Sequence, residues 1–289
     1  GESEYLTDLI MEKTLLFLDS VNSPFFLNYS PYAVHTPIHP VDSLMHKYKN
    51  KPPYKGQKNP EYATMVENLD RNIGLLVNKL KARKLFENTF IIFTSDNGGY
   101  YGKITMQKPL RAGKGSYYEG GIRVPFFFLW KDRISSGRNT QIPISHLDIF
   151  PTLMNLIEDN SMKNQLDGRS LLSLMTEGQA LAERSFFWHF PIYLQGYDIK
   201  DNENRDSLFR TRPGSIIRKG DWKLHYYFED NGMELYNLKD DISESNNLAE
   251  SHIEKRQELM EELVDWWQKT NAPIPSQINP LYEPHQPHS

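Results

Sequence analysis

The sequence predicts an α/β fold. Residues 1–180 read as part of an α/β/α sandwich, and residues 181–289 as a small α+β subdomain with an antiparallel sheet, a C-terminal helix and an irregular tail. Three observations carry this. Tyr62, Met65, Val66, Leu69, Ile73, Leu76, Val77 and Leu80 recur at three and four residues, the stripe of a helix facing a core. Thr89–Ser95 (TFIIFTS) and Val124–Trp130 are largely apolar runs, as expected of central strands buried on both faces. From about residue 180 the texture changes to short aromatic and β-branched segments, with Gly220-Asp221 and Asn231-Gly232 as turns.

The elements follow in order. Leu6–Leu18 has helical spacing, and Asn22-Ser23-Pro24 breaks it. Phe25–Ser30 reads as a short buried strand. The loop after it carries Pro31, His35, Pro37, His39 and Pro40, a proline density that disfavours regular structure. The helix Glu61–Arg83 and the strand Thr89–Ser95 come next, and the strand ends abruptly in Asp96-Asn97-Gly98-Gly99. Gly113–Gly121 is a glycine-rich loop leading into the Val124–Trp130 strand. Ile149–Ile157 is a helix with Pro151 in its first turn, where proline is tolerated. This order suits a sheet with helices on both sides. Ser185–Phe190, Ser215–Arg218, Trp222–Phe228 and Glu234–Leu238 then form the small sheet. The helix Ile253–Thr270 closes the fold with Leu259, Leu263 and Trp266 on one side, before a tail rich in proline to Pro287.

Composition narrows the function. With 33 Lys and Arg against 37 Asp and Glu, the net charge of −4 argues against nucleic-acid binding through a basic surface, but leaves room for a local cationic site. No apolar run approaches the ~20 residues of a membrane-spanning helix, and Gly1–Glu4 shows neither a basic nor an apolar targeting region. Cysteine is absent, which excludes disulfides, a thiolate metal site and a cysteine nucleophile in this sequence.

Three loops at strand ends offer chemistry. Asp96 and Asn97 are hard oxygen donors suited to Ca²⁺ or Mg²⁺, at the strand end where open α/β sheets bind ligands; Asp-Asn-Gly is also ordinary turn chemistry. His35 is placed for general acid work near neutral pH, or is a surface loop histidine, as is His39. Lys114, between Gly113 and Gly115, is either aimed at an oxyanion or a solvated loop lysine. Taken together, a metal site, a cation and a proton donor suit hydrolysis of a sulfate or phosphate ester.

Four stretches, PFFLNYSPYAVHTP (24–37), EYATMVENLDRNIGLLVNKL (61–80), TFIIFTSDNGG (89–99) and LRAGKGSYYEGGIRVPFFF (110–128), resemble the C-terminal portion of a type I sulfatase of the alkaline phosphatase-like superfamily. SHLDIFPTL (145–153), LDGRSL (166–171), IRKGDWKLHYYF (217–228) and MELYNL (233–238) extend the resemblance along nearly the whole chain. It implies that Asp96 and Asn97 are half of a divalent-metal site, usually calcium. It implies that His35 protonates the leaving oxygen and that Lys114 holds the sulfate. FWHFP (187–191) resembles a segment near the substrate mouth of bacterial polysaccharide sulfatases, so His189, Arg210 and Arg212, with His39, are candidate contacts to a sulfated sugar chain.

The sequence departs from that family in one large respect. The paired aspartates and the Cys/Ser-x-Pro-x-Arg motif, whose first residue becomes the formylglycine nucleophile, are absent. The expectation is therefore a C-terminal fragment of an exported sulfatase, inactive alone and lacking its N-terminal half. Its strands at 25–30, 89–95 and 124–130 would expose apolar surface that invites self-association. A phosphatase or phosphodiesterase of the same superfamily, and a noncatalytic anion- or carbohydrate-binding remnant, are the alternatives.

Overall fold

The computed structural model describes residues 5–102, 104–159, 161–162, 165–195, 203–205, 209–277 and 280. The end of the proline-rich tail and the first four residues, on which the absence of a targeting region was read, lie outside them. The chain forms a mixed α/β structure of two compact units, 1–93 with 127–138, and 94–126 with 139–289. Both are discontinuous in sequence.

In the first unit, α1 (Leu6–Ser20) packs on α3 (Pro60–Ala82). Met11 and Leu18 of α1 and Met65 and Leu80 of α3 are buried, as their helical spacing requires. The side chain of Asn59 caps α3 by accepting the Tyr62 N–H at 2.9 Å, and Pro60 follows where its missing N–H costs nothing. The carboxylate of Asp8 accepts from Asn68, Arg71 and Asn72 across the helix pair. A short helix that the sequence reading missed, α2 (Asp42–Tyr48), also packs on α3.

The strands of this unit are shorter and barer than expected. β1 (Ile91–Thr94) and β2 (Phe126–Leu129) form a two-stranded sheet. Neither is buried on both faces: Phe93, Phe127 and Leu129 are exposed, Phe127 by 62%. Phe25–Ser30 joins no ladder, although its burial alternates residue by residue, and Phe26 is 75% exposed. A strand is completed by a neighbour, and these segments have one or none among the described residues.

The second unit is built on a four-stranded antiparallel sheet of order β3 (Ser185–Phe190), β6 (Gly214–Lys219), β7 (Trp222–Tyr227), β8 (Met233–Asn237). The register aligns Ile217, Leu224 and Leu235 across three strands. They form one apolar face, covered by Leu259 and Leu263 of α7 (Ile253–Thr270). Side chains alternate along a strand, so the next rows, Arg218–Lys223–Tyr236 and Ile216–His225–Glu234, face the other way. That face is covered by the segment 111–123, which contains the short helix α4 (Glu119–Ile122): Tyr118 packs on Tyr236, and Tyr117 on Ile216 and Tyr227. A two-stranded ribbon, β4 (Leu194–Gln195) and β5 (Phe209–Thr211), was not foreseen. The helix α5 (Ile149–Leu156) starts behind a single 3₁₀ turn at His146–Asp148, and α6 (Leu172–Thr176) is one short turn packed on it.

Candidate functional site

Two of the three predicted loops meet in the second unit, backbone against backbone. The N–H of Gly98 donates to the carbonyl of Gly121 at 2.9 Å, and the N–H of Lys114 donates to the carbonyl of Gly99 at 2.9 Å. Glycine is required at this approach. A Cβ on Gly98 would stand 1.8 Å from the Gly120 oxygen, and one on Gly120 would stand 2.3 Å from the oxygens of Arg111 and Ala112. The turn bearing Asp96 and Asn97 and the loop bearing Lys114 are thus fixed to each other by their main chains.

Each loop is also tied to its surroundings. His146 donates from Nε2 to the carbonyl of Ser95 at 2.9 Å, bracing the turn one residue before Asp96. The 3₁₀ turn that carries His146 is held through buried Asp148, which accepts from Ser145 N–H, Arg169 N–H and the Arg184 guanidinium. The Lys114 loop is tied to the sheet at several points. The guanidinium of Arg111 lies 3.9 Å from the centre of the Tyr118 ring and donates to the carbonyl of Glu244 at 2.9 Å. The Tyr117 hydroxyl reaches the carbonyls of Phe190 and Gly214, and the Tyr118 hydroxyl donates to Glu234 at 2.8 Å. Beneath the loop, the ammonium of Lys223 lies between Glu119 (3.1 Å) and Glu244 (2.8 Å), all three buried. Burial acts to raise the Glu244 carboxyl, but the Lys223 charge and hydrogen bonds from His225 and Lys223 outweigh it and hold the group down at about 2. Burial pushes the pKa of His225 below its ordinary value, so its ring is held neutral.

Asp96 is exposed and Asn97 half-buried. The Nδ2 of Asn97 donates to the Gly98 carbonyl at 3.1 Å, so Oδ1 is the atom of this amide suited to a cation. Two hard oxygens fit calcium in kind. In number they fall short of the roughly 6–8 oxygens it takes, and among the described residues no three His, Cys, Asp or Glu side chains gather as a metal cluster. His35 and His39 belong to the first unit, both exposed. The Nδ1 of His35 donates to the Thr36 carbonyl at 2.7 Å. The His39 carbonyl accepts from the Tyr5 hydroxyl, and the two rings lie 5.5 Å apart.

The remaining candidates divide. Arg210 lies against the Lys114 loop: a Cβ on Gly115 would meet its Cδ at 3.0 Å, and its guanidinium lies 5.3 Å from the Tyr100 ring centre. Arg212 is only 4% exposed and pairs with buried Glu229 at 2.9 Å. His189 is engaged at both nitrogens: Trp267 Nε1–H donates to Ser215 Oγ, whose hydroxyl donates to His189 Nδ1, while Nε2–H donates to the Pro273 carbonyl. Sequence reasoning missed His146, Glu119, Lys223 and Glu244. His146, Glu119 and Lys223 lie in the quoted stretches SHLDIFPTL, LRAGKGSYYEGGIRVPFFF and IRKGDWKLHYYF, whereas Glu244 lies in none.

Comparison with known proteins bears on the whole chain. A family model described as Sulfatase matches residues 2–159, and one described as N-sulphoglucosamine sulphohydrolase, C-terminal, matches 113–271. A sulfatase of Formosa agariphila is 33% identical over 94% of this chain and 52% of its own length. N-acetylgalactosamine-6-sulfatase of Canis lupus familiaris is 30% identical over 86% of this chain and 43% of its own. The crystal structure of Ps i-CgsB in complex with k-i-k-neocarrahexaose matches with a TM-score of 0.77 and 30% identity, over 96% of this chain and 57% of that one. The chain thus spans about half the length of the curated relatives it matches. Its fold is alkaline phosphatase-like α/β, with the antiparallel sheet and C-terminal helix described above. No helix among the described residues is long and apolar enough to cross a membrane. The chain belongs to the sulfatase family.

Proposed function

We propose that this chain supplies the C-terminal part of a sulfatase site that hydrolyses sulfate esters of a sulfated carbohydrate. The observation that carries the reading is the main-chain union of the Asp96–Gly99 turn with the Gly113–Gly121 loop, which ties the turn bearing Asp96 and Asn97 to the loop bearing Lys114. The carbohydrate class is supported by the likeness to a protein crystallised with a neocarrahexaose.

In this reading the ammonium of Lys114 holds the sulfate through charge and hydrogen bonds. His35, its Nδ1 proton held by the Thr36 carbonyl, gives its Nε2 proton to the ester oxygen as the S–O bond breaks, so that the sugar leaves as a neutral alcohol. Asp96 and Asn97 are ligands to a divalent cation, calcium by family, which when bound neutralises charge on the sulfate. Neither cysteine nor Ser-x-Pro-x-Arg occurs in these 289 residues, so the family's formylglycine nucleophile is not encoded here, and this chain alone is inactive. Arg210, on the wall beside Lys114, contacts the anionic sugar chain. Arg212 and His189 support that wall by packing. The whole enzyme is exported, as sulfatases of this kind commonly are.

The test is release of inorganic sulfate from carrageenan-type oligosaccharides by the protein of the whole reading frame. His35→Ala and Lys114→Ala should each lower kcat about 10²–10⁴-fold. Absence of release from any sulfate ester sinks the reading.

A further inference from the structure

The face of the antiparallel sheet turned away from α7 carries a buried ring of charges. Lys223, Glu119 and Glu244 each expose 1% of their side chain or less. Burying an ion costs several kcal/mol, and replacing a buried ion group by apolar residues is often neutral or stabilising. The centre of the opposite face is apolar, with Ile217, Leu224 and Leu235 buried under α7 and no buried ion among them. The charged face therefore invites a role beyond holding the sheet together.

Its connections lead to the site. Lys223 Nζ donates to Glu244 Oε1, and the other oxygen, Oε2, accepts the backbone N–H of Glu119. The Glu119 side chain returns to Lys223 at 3.1 Å, closing a ring of interactions. Glu119 begins the turn Glu119-Gly120-Gly121. The Gly120 N–H bonds the Arg111 carbonyl, and the Gly121 carbonyl accepts the Gly98 N–H beside Asn97. Arg111 in turn donates to the Glu244 carbonyl. Carboxylates accept at two oxygens in fixed geometry, so this ring specifies one placement of the turn, whereas apolar packing permits sliding.

We propose that Lys223, Glu119 and Glu244 are positioning residues, which set the backbone of Gly120-Gly121 and through it the placement of Asn97 against Lys114. The proposal rests on the sulfatase reading for its purpose, but the coupling itself is a property of this chain.

The experiment is amide hydrogen exchange on the 289-residue chain, read at Gly98, Lys114 and Gly120, with Leu259 and Leu263 of α7 as internal reference. In Lys223→Met the three loop amides should exchange about tenfold faster or more, with the α7 amides unchanged. Glu244→Ala should do the same. Glu244→Gln, which keeps an oxygen for the Glu119 N–H but turns an NH2 group toward Lys223, should give exchange between that of the parent and that of Glu244→Ala. Unchanged loop exchange in a folded Lys223→Met or Glu244→Ala overturns the proposal. So does equal acceleration of loop and α7, which marks a merely structural role. Where Lys223→Met and Glu244→Ala do not fold, Glu119→Gln decides by the same loop-against-α7 comparison. The sulfate-release assay on the protein of the whole reading frame keeps the two readings apart: no release there with selective loop loosening here defeats the functional reading and leaves the coupling standing.

Discussion

A Cβ placed on Gly98 would lie 1.8 Å from the carbonyl oxygen of Gly120, well inside any contact real atoms make. The obstacle is main chain, which cannot rotate away as a side chain does. Gly98→Ala should therefore cost about 2–4 kcal/mol of stability in the second unit and separate the two loops. Gly74→Ala, inside α3 with nothing within 4 Å, should instead stabilise by about 0.5–1 kcal/mol. Denaturant titrations of both variants check the pair of signs.

Acid should unfold the second unit in two stages. The unfolded chain takes up a proton at His225 near pH 6.5, while in the folded chain burial holds this group neutral to lower pH. Stability is thus lost as pH falls below about 6.5. For Glu244 the folded pKa is depressed to about 2 from 4.5, so its contribution is present above about 4.5 and lost between there and about 2. Denaturation midpoints measured from pH 7.5 to 3 should fall in this way, and His225→Phe should remove the upper stage.

Calcium binding to the chain alone should be weak, because Asp96 and Asn97 supply two of the roughly 6–8 oxygens needed. Calorimetry should show millimolar affinity or none. Tight binding abolished by Asp96→Ala would reveal further ligands.

The 289-residue chain should release no product from an activated aryl sulfate. Lys114 and His35 can stabilise charge and move a proton, but an enzyme of this class needs a nucleophile, and these residues include no cysteine. Turnover that is lost in His35→Ala would require an attacking group elsewhere in the sequence.

Exposed Phe26, Phe93, Phe127 and Leu129 make the first unit prone to self-association. Light scattering over a dilution series should show oligomers, and Phe127→Lys should reduce them. A monodisperse monomer that binds no apolar dye would show the surface to be inert.

The sequence was most legible where structure is local. The helix 253–270 and the four strands of the sheet lie within a residue or two of their expected places, because side-chain period and turn residues suffice to define them. It was least legible where a partner distant in sequence decides. Phe25–Ser30 has a strand's alternation and no ladder. Lys223 and His225 sit at alternate positions of β7, and nothing beside them in sequence announces the loop a hundred residues earlier that covers them. The loops of Asp96 and Lys114 were recognisable as a pair of strand-end features. Their hydrogen-bonded union was not, since nothing near Gly98 announces Gly121. His189, Arg210 and Arg212 have the same residue types as sugar-binding groups; burial and the Glu229 ion pair set Arg212 apart, and hydrogen bonds at both ring nitrogens set His189 apart.

The bond from Glu119 to Glu244 spans 125 residues of chain. At the ~5–20 residues per second of synthesis, the glycine-rich loop emerges on the order of 6–25 s before the carboxylate that fixes it. During that interval Gly98, Gly113, Gly120 and Gly121 form a stretch with few conformational restraints and no acceptor at its hinge. A nascent chain halted before Glu244 should display this stretch to proteases.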